Sequence, residues 1–184
     1  MKKKLERIIE VPQGMDALIN ANEITLRKNG KEMKRKFDIS SMQFSVEGNA
    51  QSAKVKIYCD NATRRESKMI GTIWAHINNM IAGLEKDFVY KLEICNVHFP
   101  MNAKVEGENL VIKSFLGEKV PRIAKIQPNT KVEIKGSEIT VSSFDLESAG
   151  QTAANFERAT KIRGRDRRVF QDGIFITEKC GVKI

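Results

Sequence analysis

Two spacings of apolar positions alternate along this chain, and the alternation occurs twice. From Asp16 to Arg27, Leu18, Ile24 and Leu26 lie in short apolar runs separated by Asn20-Ala21-Asn22. Lys31 to Phe37 then follows Asn29-Gly30, the strongest short-range hairpin signal. Alternating stretches at Gln43 to Glu47 and Lys54 to Tyr58 flank a turn at Gly48-Asn49, so four short strands are expected before any helix, arranged as an antiparallel meander. From Ser67 to Leu84 the period changes: Ile70, Ile73, Trp74, Ile77, Met80, Ile81 and Leu84 recur at spacings of three and four, which predicts an amphipathic helix whose apolar stripe covers a sheet. Phe88 to Val97, rich in β-branched and aromatic residues, marks a return to strand and closes the first unit.

The same order then recurs. Ala17 to Leu26 aligns with Ala103 to Ile112, and Asn29-Gly30-Lys31-Glu32 corresponds to Leu116-Gly117-Glu118-Lys119. Lys131 to Lys135, a turn at Gly136-Ser137, Ile139 to Ser143 and a second helix from Asp145 to Thr160 carrying Leu146, Ala149, Ala153 and Phe156 complete it. A period near 86 residues is too long for a solenoid and indicates a duplicated domain. The expectation is an α+β chain made of two tandem copies of one small domain, each an antiparallel sheet packed with one main helix. The boundary falls between Gly83 and Pro100, giving domains 1–84 and 85–184. After the second helix the copies diverge, because Lys161 to Arg168 has no counterpart after the first. A strand at Ile174-Phe175-Ile176 follows an Asp172-Gly173 turn.

Charge changes the picture from a fold to a class of partner. The 184 residues carry 32 lysines and arginines against 23 acids, a net +9, with 30% charged and 41% hydrophobic positions. Such a surface prefers polyanions, and the interspersed acids point to a folded protein with basic patches rather than a basic tail. No apolar run approaches the roughly 20 residues that span a bilayer, and the basic start Met1 to Arg7 leads into Ile8, Ile9 and a glutamate rather than a signal h-region, so a cytosolic protein without a membrane partner is expected. Cys59, Cys95 and Cys180 have no metal-ligand or disulfide spacing and read as free thiols, the first two as small buried hydrophobes.

The densest positive segment is Arg158 to Arg168, RATKIRGRDRR, with six cations and one acid in eleven positions. Alternating arginines around Gly164 suit an extended loop along a phosphate backbone, since guanidinium forks bind phosphate oxygens bidentately and glycine permits close approach. The alternative is a solvated loop. Lys2 to Lys4, Arg27 to Lys36 and Arg64-Arg65 with Lys68 are secondary clusters, the second read as lysine protection of a hairpin edge. Phe170 is either a core residue or a stacking platform for an unpaired base, whereas Phe156 and Phe175 sit in periodic apolar patterns and read as core. His76 and His98 share no local spacing with a nucleophile or acid, and no phosphate-binding glycine loop, dinucleotide fingerprint or metal-ligand run is present, so no cofactor, metal or catalytic residue is expected. Two rivals remain to the reading as a nucleic-acid binder: an RNA-modifying or RNA-processing enzyme on a duplicated platform, and a basic protein-interaction adaptor.

The tail GQTAANFERATKIRGRDRRVFQDGIFITEK, Gly150 to Lys179, resembles the C-terminal signature of the large-subunit ribosomal protein L six family in its archaeal and eukaryotic form. The likeness is carried above all by Arg168 to Ile176 followed by Glu178-Lys179, and extends to Val11-Pro12-Gln13-Gly14, the duplicated strands and the Gly71 to Leu84 helix. One departure is Arg158, where the signature has glutamine. The resemblance implies two copies of one α+β fold that bind 23S-type ribosomal RNA chiefly through the second. It also implies a place near the sarcin-ricin loop and the stalk base, beside neighbouring ribosomal proteins and docking translation factors, in cytoplasmic ribosomes. It makes Arg158, Lys161, Arg163, Gly164, Arg165, Arg167, Arg168 and Lys179 candidate RNA-binding residues, with Phe170 and Asp172-Gly173 as the pivot that aims them.

Overall fold

The computed structural model describes residues 3–20, 22–28, 30–37, 42–47 and 54–184. Lys2, Ala21, Asn29 and the expected turn at Gly48-Asn49 lie outside the described residues. The chain divides into two compact units, residues 1–86 and 87–184, each with its own apolar core.

The N-terminal unit runs β1 (Lys3–Glu10), β2 (Asp16–Asn20), β3 (Glu23–Lys28), β4 (Lys31–Lys36), β5 (Gln43–Glu47), β6 (Lys54–Ala62) and α1 (Arg64–Glu85). Its strands form two antiparallel sheets, β1-β6-β5 and β2-β3-β4, instead of a single meander. The reason is β1, which sequence reading missed because lysines and glutamates dominate it; it pairs with β6 along its whole length and leaves β6 central. The β3–β4 hairpin closes with Lys28 opposite Lys31, and Gly30 at φ +77° supplies the left-handed backbone of a two-residue turn. α1 begins with a capping box in which Thr63 and Glu66 satisfy each other's backbone N–H groups. Its stripe Ile70, Ile73, Ile77, Met80, Ile81 and Leu84 is buried, while Trp74 is 38% exposed with the Arg7 guanidinium 5.2 Å from its ring centre.

The C-terminal unit repeats this plan with β7 (Phe88–Cys95), β8 (Asn102–Glu106), β9 (Asn109–Lys113), β10 (Arg122–Lys125), β11 (Thr130–Lys135), β12 (Glu138–Ser143) and α2 (Leu146–Ala159). β8-β9-β10 matches β2-β3-β4, and β7-β12-β11 matches β1-β6-β5, so β7 opens the second unit rather than closing the first. The tight β3–β4 turn becomes a longer connection with a 3-10 turn at Phe115–Gly117, which moves the following strand to β10, a short segment the apolar pattern did not reveal. α2 approaches its sheet through small residues: Ala149 and Ala153 are fully buried, and a Cβ on Gly150 would stand 3.1 Å from the Tyr90 hydroxyl.

Two strands have no counterpart in the first unit. β13 (Gly173–Lys179) pairs antiparallel with the outer edge of β7, and β14 (Val182–Lys183) extends the sheet to five strands. In β13 Gly173 and Ile174 are buried; Phe175, expected in the core, is half-buried because the two-residue period of a strand turns it to the face opposite Ile174. Cys59 is buried, Cys95 half-buried and Cys180 exposed, all as free thiols.

Candidate nucleic-acid interface

The segment between α2 and β13 is irregular but anchored at both ends. At its start, the last carbonyls of α2 have no helical amide four residues on, and the Arg122 side chain from β10 reaches across to donate to the Ala159 carbonyl at 2.8 Å and the Lys161 carbonyl at 3.4 Å. The same guanidinium grips Glu118 through two bonds of 2.8 and 2.6 Å and lies 4.3 Å from the Phe115 ring centre, so its direction is fixed from three sides. These bonds hold the Glu118 carboxyl below its usual range. Buried Thr160 donates to the Glu157 carbonyl at 3.2 Å and accepts the Ile174 N–H at 2.9 Å, stitching the helix end to β13.

The far end is held by Asp172, a charged side chain only 2% exposed. Its carboxylate accepts the backbone N–H groups of Val97 at 2.7 Å and His98 at 2.9 Å, and the His98 ring Nδ1 lies 2.7 Å from its second oxygen. Burial by itself would raise its pKa; the bonds from His98, Val97 and Phe99 overcome that and hold it at about 2. Gly173 follows at φ +158°, where a Cβ would meet the Phe175 ring at 3.1 Å and the Thr160 hydroxyl at 3.5 Å. Asp172-Gly173 is thus a buried anchor and a close approach, where the sequence suggested a turn.

Between the anchors the chain presents its cations outward. Lys161, Arg163, Arg165, Arg167 and Arg168 are all exposed, as is Arg158 in the last turn of α2. They are differently engaged. Arg165 stands 4.9 Å above the Phe170 ring, whose centre is 5.0 Å from that of His98, so half-buried Phe170 packs against both a guanidinium and an imidazole. Arg168 is bonded to Asp166 through Nε at 3.3 Å and Nη2 at 3.1 Å, and this pairing lowers the Asp166 pKa. Gly164 has φ +69°, the left-handed backbone that favours glycine, with open space where a side chain would go. Arg158, Lys161 and Arg167 share the lining of a cleft of about 700 Å³ with Cys95, Val97, Ile162 and Phe175. Lys179 does not join them: β13 carries it six residues beyond Gly173, about 20 Å at strand spacing.

The basic hairpin of the N-terminal unit is more heavily compensated. In the hairpin Glu32 takes Arg27 at 2.9 Å and Lys34 at 3.2 Å, while Lys28 reaches Glu85 at 3.4 Å. β4 is an edge strand, so its lysines sit where they discourage pairing with another chain. Sequence reading missed the His98–Asp172 pair and Arg122. Both act across long separations, and only the unusual Asp-Gly after an aromatic hinted at the first.

A family model described as Ribosomal protein L6 matches residues 99–173, a span that takes in the His98-adjacent segment, α2 and the whole arginine loop. The chain is 44% identical to large ribosomal subunit protein uL6 of Methanobrevibacter smithii over 93% of its length and 94% of the relative's. It is 40% identical to the proteins of the same name from Methanococcus vannielii, over 94% of this chain and 93% of that one, and Methanosarcina mazei, over 98% and 100%. The chain belongs to the ribosomal protein L6 family. Membership accounts for the two α+β units and for the absence of catalytic motifs in the sequence, since this family is a structural component of the ribosome.

Proposed function

We propose that this protein is a non-enzymatic constituent of the large ribosomal subunit that grips 23S-type ribosomal RNA with the loop between α2 and β13, near the sarcin-ricin loop and the stalk base. There it supports the region where translation factors dock, beside neighbouring ribosomal proteins in cytoplasmic ribosomes. The observation that carries this reading is a loop whose cations point outward while both ends are held by buried or half-buried bonds, Arg122 and Thr160 at one end and Asp172 at the other. A positive segment pre-positioned in this way neutralises phosphates without first being ordered, and contacts to a helical RNA made through its backbone read shape instead of sequence. The rigid core beneath fixes the spacing between RNA and adjoining proteins.

The test is the quadruple replacement of Arg163, Arg165, Arg167 and Arg168 by alanine. Affinity for large-subunit ribosomal RNA should fall strongly, and the slope of log affinity against log salt should flatten by roughly three units, at about 0.7–0.9 per phosphate contact. Circular dichroism and thermal melting should match the parent, because exposed arginines contribute within about 0.5 kcal/mol each. Unchanged affinity and slope in a folded variant would make the loop a solvated face.

A further inference from the structure

The loop does more than expose cations, because it also walls a cleft of about 700 Å³ that phosphate contacts leave unexplained. That volume lies within the roughly 300–1,000 Å³ of sites that hold compact organic ligands. Its walls are apolar, from Val97, Ile162, Cys95 and the rings of Phe170 and Phe175, while the exposed lining residues include the cations Arg158, Lys161 and Arg167. An apolar slot beside three cations fits a flat aromatic group that carries negative charge. We propose that this cleft receives a single unstacked nucleobase of the bound RNA, with its flanking phosphates on Arg158, Lys161 and Arg167. The inference rests on the reading of the C-terminal unit as an RNA-binding module and specifies what that unit recognises besides backbone.

The choice of stacking partner follows from what is already occupied. Phe170 also lines the cleft, but with His98 at 5.0 Å and Arg165 at 4.9 Å from its ring centre it is already engaged within the loop. Phe175 is turned away from the core by the strand period, is half-buried, and lines the cleft. It is the aromatic ring on which the base stacks, with a guanidinium plane of Arg158 or Arg167 as the opposing cover. The polar groups of the lining then select the base. Gln171 already donates through Nε2 to the Arg168 carbonyl at 3.2 Å, which leaves its side-chain oxygen as an acceptor, and the exposed Glu157 carboxylate is an acceptor only. Two acceptors call for two adjacent donors, which guanine presents at N1–H and its exocyclic amine.

The experiment titrates the full-length, nitrogen-15-labelled protein with the 3′,5′-bisphosphates of guanosine, adenosine, cytidine and uridine, and with an abasic tetrahydrofuran 3′,5′-bisphosphate of equal charge. The guanosine compound should bind tightest and shift the amides of Cys95, Val97, Ile162 and Phe175. The abasic compound should bind at least about fivefold more weakly, since stacking one base contributes about 1–3 kcal/mol. Phe175→Leu, which keeps apolar volume, should reduce the guanosine compound to the abasic level while the abasic compound binds as it does to the parent, with an amide spectrum that otherwise matches the parent's. Equal affinity of the abasic and guanosine compounds would overturn the base pocket, and tighter binding of a pyrimidine would overturn the acceptor readout. Either result, with ribosomal RNA affinity and its salt slope intact in the parent, leaves the backbone-binding loop standing. Loss of the loop's role in the quadruple arginine variant test would be a separate failure.

Discussion

The two units share a strand order and a helix position yet differ at one edge. In the N-terminal unit the free side of β1 has no strand against it among the described residues, and α1 passes within two residues to the next unit. In the C-terminal unit the corresponding side of β7 carries β13, and the chain that travels from α2 to reach it is the arginine loop. The duplicated core therefore acts as a frame, and the added strand is what makes a loop of fixed shape possible. A basic segment hanging from a helix end alone would lose ordering entropy on binding at about 1–2 kcal/mol per residue fixed. Pinning both ends removes part of that cost in advance.

Several changes would break or sharpen this contrast. The largest effect is expected in RNA affinity: residues 87–184 alone should retain most of the binding to a large-subunit ribosomal RNA fragment, while residues 1–86 should bind on the order of a hundredfold more weakly at matched salt. Equal affinities in a filter-binding titration would erase the asymmetry. Next is Asp172→Ala, which leaves the N–H groups of Val97 and His98 without their acceptor and should destabilise the C-terminal unit by on the order of 3 kcal/mol while the N-terminal unit melts as before. The same carboxylate sets a pH dependence. Its pKa is about 2 in the folded chain and near 3.8 when unfolded, so its contribution, about 2 kcal/mol, is fully present above pH 4 and is lost as pH falls from about 4 to 2. Calorimetry across that range should show a downward drift of the C-terminal transition that the alanine variant lacks.

A smaller loss, about 2 kcal/mol, is expected for Arg122→Ala, which frees the Ala159 carbonyl and the loop entry together. Hydrogen exchange at residues 159–163 should accelerate, with ribosomal RNA binding weakened although no loop cation has been removed. An unchanged exchange pattern would mean that Thr160 alone holds the entry. The smallest pair of effects tests what the units share: Thr63→Ala and Asp145→Ala each remove a helix N-cap and should each cost about 1 kcal/mol in the melting of their own unit.

How much of this was legible depends on the range over which each signal acts. α1 is periodic over six turns of sequence, so its extent could be read to within a few residues and its buried stripe nearly complete. Trp74 departed from it, with the Arg7 guanidinium of β1 rather than the core beside its ring. The second copy was found through the β2–β3 and β8–β9 pairs, whose apolar spacing survives duplication. β1 and β10 escaped notice because the first is crowded with charges and the second is only four residues long. The arginine loop announced itself by composition, but not which of its cations line the cleft, nor that Arg165 is held on Phe170 and Arg168 paired with Asp166. Nor could the sequence show that Asp172 meets Val97 and His98 some 75 positions away, since such contacts exist only after β13 lies down on β7. The misreading of Phe175 has the same origin: the apolar triplet Ile174-Phe175-Ile176 does not reveal which of its faces is covered.

The pairing of β13 with β7 has a consequence for the order of events during synthesis. The N-terminal unit is built from residues 1–86 and can close its core while the ribosome is still translating the remainder, at about 5–20 residues per second. The C-terminal unit cannot do so, because β7 is among the first segments of that unit to emerge and β13 among the last. Until Lys179 has left the exit tunnel, β7 presents a bare edge and the arginines hang from α2 as an unanchored tether. The anchored shape of the arginine loop is therefore a late product of vectorial folding, since its second anchor joins segments about 80 positions apart. A newly made copy therefore holds its arginine loop at both ends only after β13 has emerged, well after the N-terminal unit has had all of its own strands in hand.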